Sequence, residues 1–214
     1  MTTTYSSMTA PTLHRTSGVE WSVASRAFPG QAVSGDLHVV APWSGGVLIG
    51  VVDGLGHGED ATAAARVAVD VLEQHAGEPV VALVQHCHRA LRETRGVVMT
   101  LLSIDTSEES MTAIGVGNVE TALQRADPRA TPPRASVLLR NGVVGYQLPA
   151  LQSDVLPIAP GDTVVFATDG VREDFGDMIN LVDPLPQLVG KIISEKFRGT
   201  DDGLVLAFKY VGKT

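Results

Sequence analysis

The sequence predicts an α+β domain in which helices pack on largely antiparallel sheets. Three observations predict it. Two consecutive stretches near the middle carry apolar residues at helical spacing. Short β-branched runs stand before and after them, joined by links too short for parallel crossovers. Hydrophobic residues make up 44% of the 214-residue chain and charged ones 19%, enough apolar matter for one sizeable core.

Taken in order, "MTTTYSSMTAPT" is polar and reads as a frayed tail, expected to run over residues 1–17. It lacks a basic region followed by an apolar one, so it is not read as a secretory signal. A single domain is expected from 18 to 214. "EWSVASRAF" alternates loosely and reads as a strand. "SGDLHVVAPW" reads as a turn into a second strand, and "GGVLIGVVD" as a buried third. The first helix follows Glu59, with Ala61, Ala64, Ala65, Ala68, Val71 and Leu72 on one face and Gly77 as its stop. The second carries Pro79 in its first turn and the stripe Val80, Leu83, Val84, Cys87, Ala90 and Leu91, and ends near Gly96. "GVVMTLLSID", "SMTAIGVGNV", "ETALQRA", "ASVLLRNG" and "DTVVFATD" read as strands. Residues 127–134, "DPRATPPR", read as a solvated loop. A last helix is expected over Pro184 to Lys196, and "GLVLAFKYV" closes the chain as a strand.

Composition excludes several classes. A net charge of -8 argues against a general nucleic-acid binder, which needs a basic face. The one cysteine, Cys87, allows no intrachain disulfide, fits a reducing compartment and reads as a small core residue. No apolar run approaches the ~18 residues of a membrane span, so a cytoplasmic protein is expected.

The chemistry is carried by aspartates at strand ends. Asp36 opens the second strand. Asp53 ends "VLIGVVD" before Gly54. Asp169 ends "TVVFATD" before Gly170. Asp201 and Asp202 precede the final strand. Asp-Gly is also a favoured turn pair, so each alone reads as a turn. As a set they read differently. Carboxylates gathered near a core repel one another and lose hydration, and a divalent cation removes both penalties. Oxygen-only ligands favour Mg²⁺ or Mn²⁺ over zinc. The glycines of "VVDGLGHGED" fit no phosphate cradle: the P-loop string is missing, and Gly58 falls one place early for G-x-G-x-x-G. His57 in that turn is a candidate to stand near the metals and protonate a leaving oxygen. His86 and His88 lie two apart on a helix, cannot face one ligand together, and are assigned no function.

"SGD", "VVDGLGHG", "GVGN", "FATDGV" and "GTDDGLVLAF" stand in the order found in the metal-dependent protein phosphatases (PPM), and the chain resembles their bacterial SpoIIE-like branch from about Trp21 to Tyr210. The resemblance implies a four-layer α-β-β-α sandwich with two Mn²⁺ or Mg²⁺ ions at one edge. By motif, Asp53 would bridge both ions and the Gly54 carbonyl would ligate one. Asp36 would help hold the site, Asp169 and Asp201 would complete it, and Asp202 would stand just behind. Two such ions, roughly 3.5–4 Å apart, share a water whose hydroxide attacks phosphorus in line. Arg26 does not match the family's phosphate-binding motif and receives no role. The chain is similar to a bare catalytic domain without a sensor module.

With "GVGNVE" in the middle, it is most similar to the stressosome phosphatases of that branch. The implied substrates are phosphorylated STAS-domain proteins of the stressosome (RsbR- and RsbS-like), dephosphorylated to reset stress signalling. The alternatives are a SpoIIE- or RsbU-like phosphatase of an anti-anti-sigma factor and a catalytically inactive PPM-fold binding module.

Overall fold

The computed structural model describes residues 10–213, and residues 1–9 of the expected tail lie outside them. The elements in order are β1 (His14–Thr16), β2 (Val19–Arg26), β3 (Asp36–Trp43), β4 (Gly46–Gly54), α1 (Glu59–Gln74), α2 (Val80–Ala90), β5 (Val97–Asp105), β6 (Ser110–Val116) and β7 (Glu120–Gln124). There follow β8 (Arg134–Ala135), β9 (Leu139–Arg140), β10 (Asp154–Pro157), β11 (Thr163–Ala167), a 3-10 turn (Glu173–Met178), α3 (Leu185–Lys196) and β12 (Gly203–Tyr210).

They form two six-stranded sheets. One has the order β1-β2-β12-β11-β7-β8; the other runs β10-β6-β5-β4-β3, with β9 beside β6. Every pairing is antiparallel except β6 with β9. Helices α1 and α2 cover the second sheet, and α3 covers the first. The order of layers is therefore α-β-β-α, as expected.

The unbroken apolar run of β4 has a direct cause. Leu48 and Val52 face the α1–α2 layer, while Val47, Ile49 and Val51 face the other sheet. A strand sandwiched on both faces has no solvent side, so alternation disappears. The same division holds in β12: Leu204, Leu206, Phe208 and Tyr210 fill the space between the sheets, while Val205 and Ala207 meet α3. In α1, Ala61, Ala64, Ala65, Ala68 and Leu72 are buried. The alanines let the helix lie close to the sheet, whose own side chains supply the bulk.

The structure departs from the expected elements in four places. Residues 14–16, placed in the tail, pair with β2. The second helix ends at Ala90, short of Gly96. "ASVLLRNG" is two short pieces rather than one strand: β8 pairs with β7 in one sheet and β9 with β6 in the other. The chain changes sheets between them, through residues 136–138, which belong to no strand. Strand β10 was not expected; Val155 is exposed and Pro157 ends it, so it carries no apolar period.

Cys87 is fully buried under α1, its thiol turned to the Ala68 carbonyl at 3.7 Å. Burial pushes its pKa up to about 12, so the reactive thiolate is suppressed. Thiol reagents should label it only as fast as the protein opens, and in one step when denaturant is added. Rapid stoichiometric labelling of the native protein would contradict this burial.

Candidate metal-binding active site

The sheets bring the aspartates to one end of the sandwich. Asp36 and Asp53 are direct cross-strand partners, at the first residue of β3 and the penultimate residue of β4. Strand β11 ends at Ala167, opposite Val205, so Asp169 emerges at the same end as Asp201 and Asp202, which lead into β12. Asp53, Asp169 and Asp201 line an open cleft of ≈ 300 Å³, together with Asn118 and Asn141. Asp36 lies beneath it, almost wholly buried at 4% exposure.

Close approach at this end demands glycine twice. A Cβ on Gly54 would stand 2.2 Å from the Ala61 carbonyl oxygen, at the start of α1. One on Gly170 would stand 1.8 Å from the Asp202 carbonyl oxygen. The glycine after each strand-end aspartate is thus a packing requirement as well as a turn signal.

A small hydrogen-bond set holds the carboxylates. The Thr168 hydroxyl donates to Asp36 Oδ2 at 2.7 Å and accepts from the Leu204 N–H at 2.8 Å. Asn118 Nδ2 donates to Asp169 Oδ2 at 2.9 Å. Asp202 is buried and turned away from the cleft. Its two oxygens accept from the N–H groups of Phe28 and Gly35, both at 2.7 Å, which fixes the loop leading into Asp36. His57 is exposed, stacks on Phe28 at 4.6 Å between ring centroids, and is not among the cleft residues.

The electrostatics follow from this crowding. Burial pushes Asp36 up to about 8, opposed by the Thr168 hydrogen bond and reinforced by Asp202, Asp169 and Asp201. Burial pushes Asp53 up to about 9, and repulsion from Asp36, Asp169, Asp201 and Asp202 adds to it. Asp169 is also raised, by burial and then Asp201, against the pull of Asn118 and Arg198. Carboxylates whose ionisation is opposed by burial and by one another are poised for a cation that replaces their protons. The donor set is all oxygen, which suits Mg²⁺ or Mn²⁺.

Sequence reasoning assigned no role to Thr168 or Asn118. Both stand inside quoted motifs, "ATDG" and "GVGN", but their partners are distant in sequence: Thr168 reaches Asp36 across 132 positions. A polar residue ending an apolar strand was the available signal.

The family model for Stage II sporulation protein E (SpoIIE) matches residues 44–207. The chain belongs to the SpoIIE family. This SpoIIE-family chain is 29% identical over 143 residues to the phosphoserine phosphatase RsbX of Bacillus subtilis (strain 168), covering 67% of this chain and 70% of that protein. A solved structure from work on the bacterial stressosome, as a modular system adapted to control secondary messenger signalling, superimposes with a TM-score of 0.82. Its identity is 29%, over 89% of this chain and 99% of that one. RsbX in complex with magnesium gives the same TM-score at 19% identity, over 93% of this chain and 98% of that one. The SpoIIE-family chain is thereby a PPM-type phosphatase related to RsbX.

Two outcomes follow. Thr168→Val should leave the Leu204 N–H and Asp36 short of a partner in a buried place, lowering stability by about 1–3 kcal/mol in urea unfolding. Thr168→Ser, which keeps the hydroxyl, should restore most of it; equal loss in both variants would mean that the methyl group matters instead. The second outcome concerns pH. An acid whose pKa is raised on folding holds protons that the unfolded chain releases, so stability falls as pH rises through the interval. In EDTA, the melting temperature should therefore fall between the ordinary carboxylate value of 3.8 and about 9. Asp53→Asn should flatten that slope, and an identical slope in the variant would remove Asp53 as its source.

Proposed function

We propose that this chain is a Mn²⁺- or Mg²⁺-dependent phosphoserine/phosphothreonine protein phosphatase, with Asp36, Asp53, the Gly54 carbonyl, Asp169 and Asp201 holding two divalent cations. One observation carries the reading: Asp53, Asp169 and Asp201, from the ends of β4 and β11 and the start of β12, line one cleft beside Asp36 of β3, and burial opposes the ionisation of Asp36, Asp53 and Asp169. Such ions, when bound, polarise phosphoryl oxygens and make a water acidic enough to lose a proton near neutrality. The chain's own residues supply the frame. Thr168 orients Asp36, Asn118 orients Asp169, and Asp202 pins the loop before Asp36. His57, stacked on Phe28, supports that same loop from outside in this reading.

The substrate class we infer is phosphorylated STAS-domain proteins of the stressosome, RsbR- and RsbS-like, dephosphorylated to reset stress signalling. Its support is the similarity to RsbX and to the stressosome-related structure. The same kinship supports a cytoplasmic site of action. Among the described residues no helix is long and apolar enough to cross a membrane.

The reading is tested with p-nitrophenyl phosphate and Mn²⁺. Hydrolysis should stop in EDTA and return with Mn²⁺ or Mg²⁺. Asp53→Ala should lower the rate at least ~100-fold, the loss of roughly 2.7 kcal/mol of transition-state stabilisation. Activity that persists in EDTA, or in that variant, would sink the two-cation site. Phosphate release from phospho-STAS proteins, compared with a phosphorylated anti-anti-sigma factor, decides the substrate class.

A further inference from the structure

A group of side chains of metal-ligating type lies at the opposite end of α1 from the cleft. Helix α1 starts beside the cleft and runs 16 residues, about 24 Å at 1.5 Å per residue, to its C-cap, His75. The chain then turns tightly, the Glu78 N–H donating to the His75 carbonyl at 2.8 Å. That turn folds Glu78 back beside His75, and α2 brings His86 to the same place. His75 Nδ1 meets Glu78 Oε1 at 2.8 Å, and His86 Nε2 meets Glu78 Oε2 at 2.9 Å. The two imidazole rings are parallel within 5°, with centroids 4.5 Å apart. The three ligand atoms lie within 4.8 Å of one another, and all three side chains are partly exposed.

We propose that His75, Glu78 and His86 form a zinc site, separate from the oxygen-only cleft, with water completing a four-coordinate ion. Two imidazole nitrogens and one carboxylate are a donor set that suits Zn²⁺ and is a poor match to Mg²⁺ or Mn²⁺. The site joins the end of α1 to α2, the two helices that cover one sheet, so the ion acts as a clip between them.

The protons give the proposal a specific signature. A carboxylate only accepts, so each imidazole nitrogen facing Glu78 carries its proton in the metal-free arrangement. Arg89 Nη2 donates to His86 Nδ1 at 2.7 Å, which fixes His86 as the Nε2–H tautomer. A zinc ion on Nε2 needs the lone pair there, and the proton moves to Nδ1, where it faces a donor. Binding zinc therefore breaks the Arg89 contact. It also turns one ring, because a metal lies in the plane of each imidazole that holds it and parallel rings share no such line. Both changes involve partly exposed side chains with room to move. Arg89 thus opposes the ion without being a ligand.

The test uses the full chain in excess Mg²⁺, which occupies the oxygen site, titrated with ZnCl₂ in a calorimeter. One saturable zinc per chain is expected, with a rise in melting temperature. Cobalt in place of zinc should give the strong visible absorption of a four-coordinate nitrogen–oxygen site. Combined His75→Ala and His86→Ala should abolish the zinc equivalent, the absorption and the rise. Glu78→Gln, the milder change, should weaken zinc binding, and Arg89→Ala should tighten it. Mn²⁺-dependent hydrolysis should be unchanged in all of them. A wild type that takes up no saturable zinc, or a zinc equivalent that survives the double variant, would overturn the proposal.

Discussion

The Thr168 hydroxyl spans the two sheets at the end where the carboxylates gather. It donates to Asp36 of one sheet and accepts from Leu204 of the other. Elsewhere the sheets meet mainly through apolar side chains, which set a distance but little direction. A buried hydroxyl with two partners sets both. The relative position of Asp36 and Asp53, on β3 and β4, against Asp169 and Asp201, on β11 and β12, depends on that register. A carboxylate cluster tolerates little drift, because metal–oxygen distances are narrow.

Asp202 applies the same logic to the loop. It has the composition of a ligand and the surroundings of an anchor, with both oxygens spent on backbone N–H groups. The cluster thus contains aspartates of two kinds. Asp53, Asp169 and Asp201 face the cleft. Asp202 is sealed and holds the approach to Asp36.

Much of this arrangement was legible in the sequence, for physical reasons. The apolar runs of β4 and β11 are long enough to announce buried strands, and an aspartate at the end of each is conspicuous. The alanine stripe of α1 has a clear helical period. What stayed hidden depends on meetings across the fold. Strand β10 and the halves of "ASVLLRNG" are short and carry little apolar pattern. Thr168 looks like any strand residue until Asp36 is placed opposite. His86 was weighed against His88, on its own helix, whereas its partner His75 stands at the end of another. His88 accepts from the Gly145 N–H and ties α2 to a distant turn, a structural task that a list of histidines does not reveal.

The pairing of β2 with β12 has a consequence for how the molecule comes into being. These strands lie near opposite ends of the described chain, yet they are neighbours over all eight residues of each. Synthesis delivers β2 early and leaves it with an unpaired edge until β12 arrives. Strand β12 also brings Asp201 and Asp202, so the carboxylate cluster and the closing of that sheet are one event. A nascent chain still lacking β12 can form β3, β4, β5 and the helices over them, whose contacts are local, but not the complete cluster. The interval between those two stages is when the edge of β2 is open to a wrong partner.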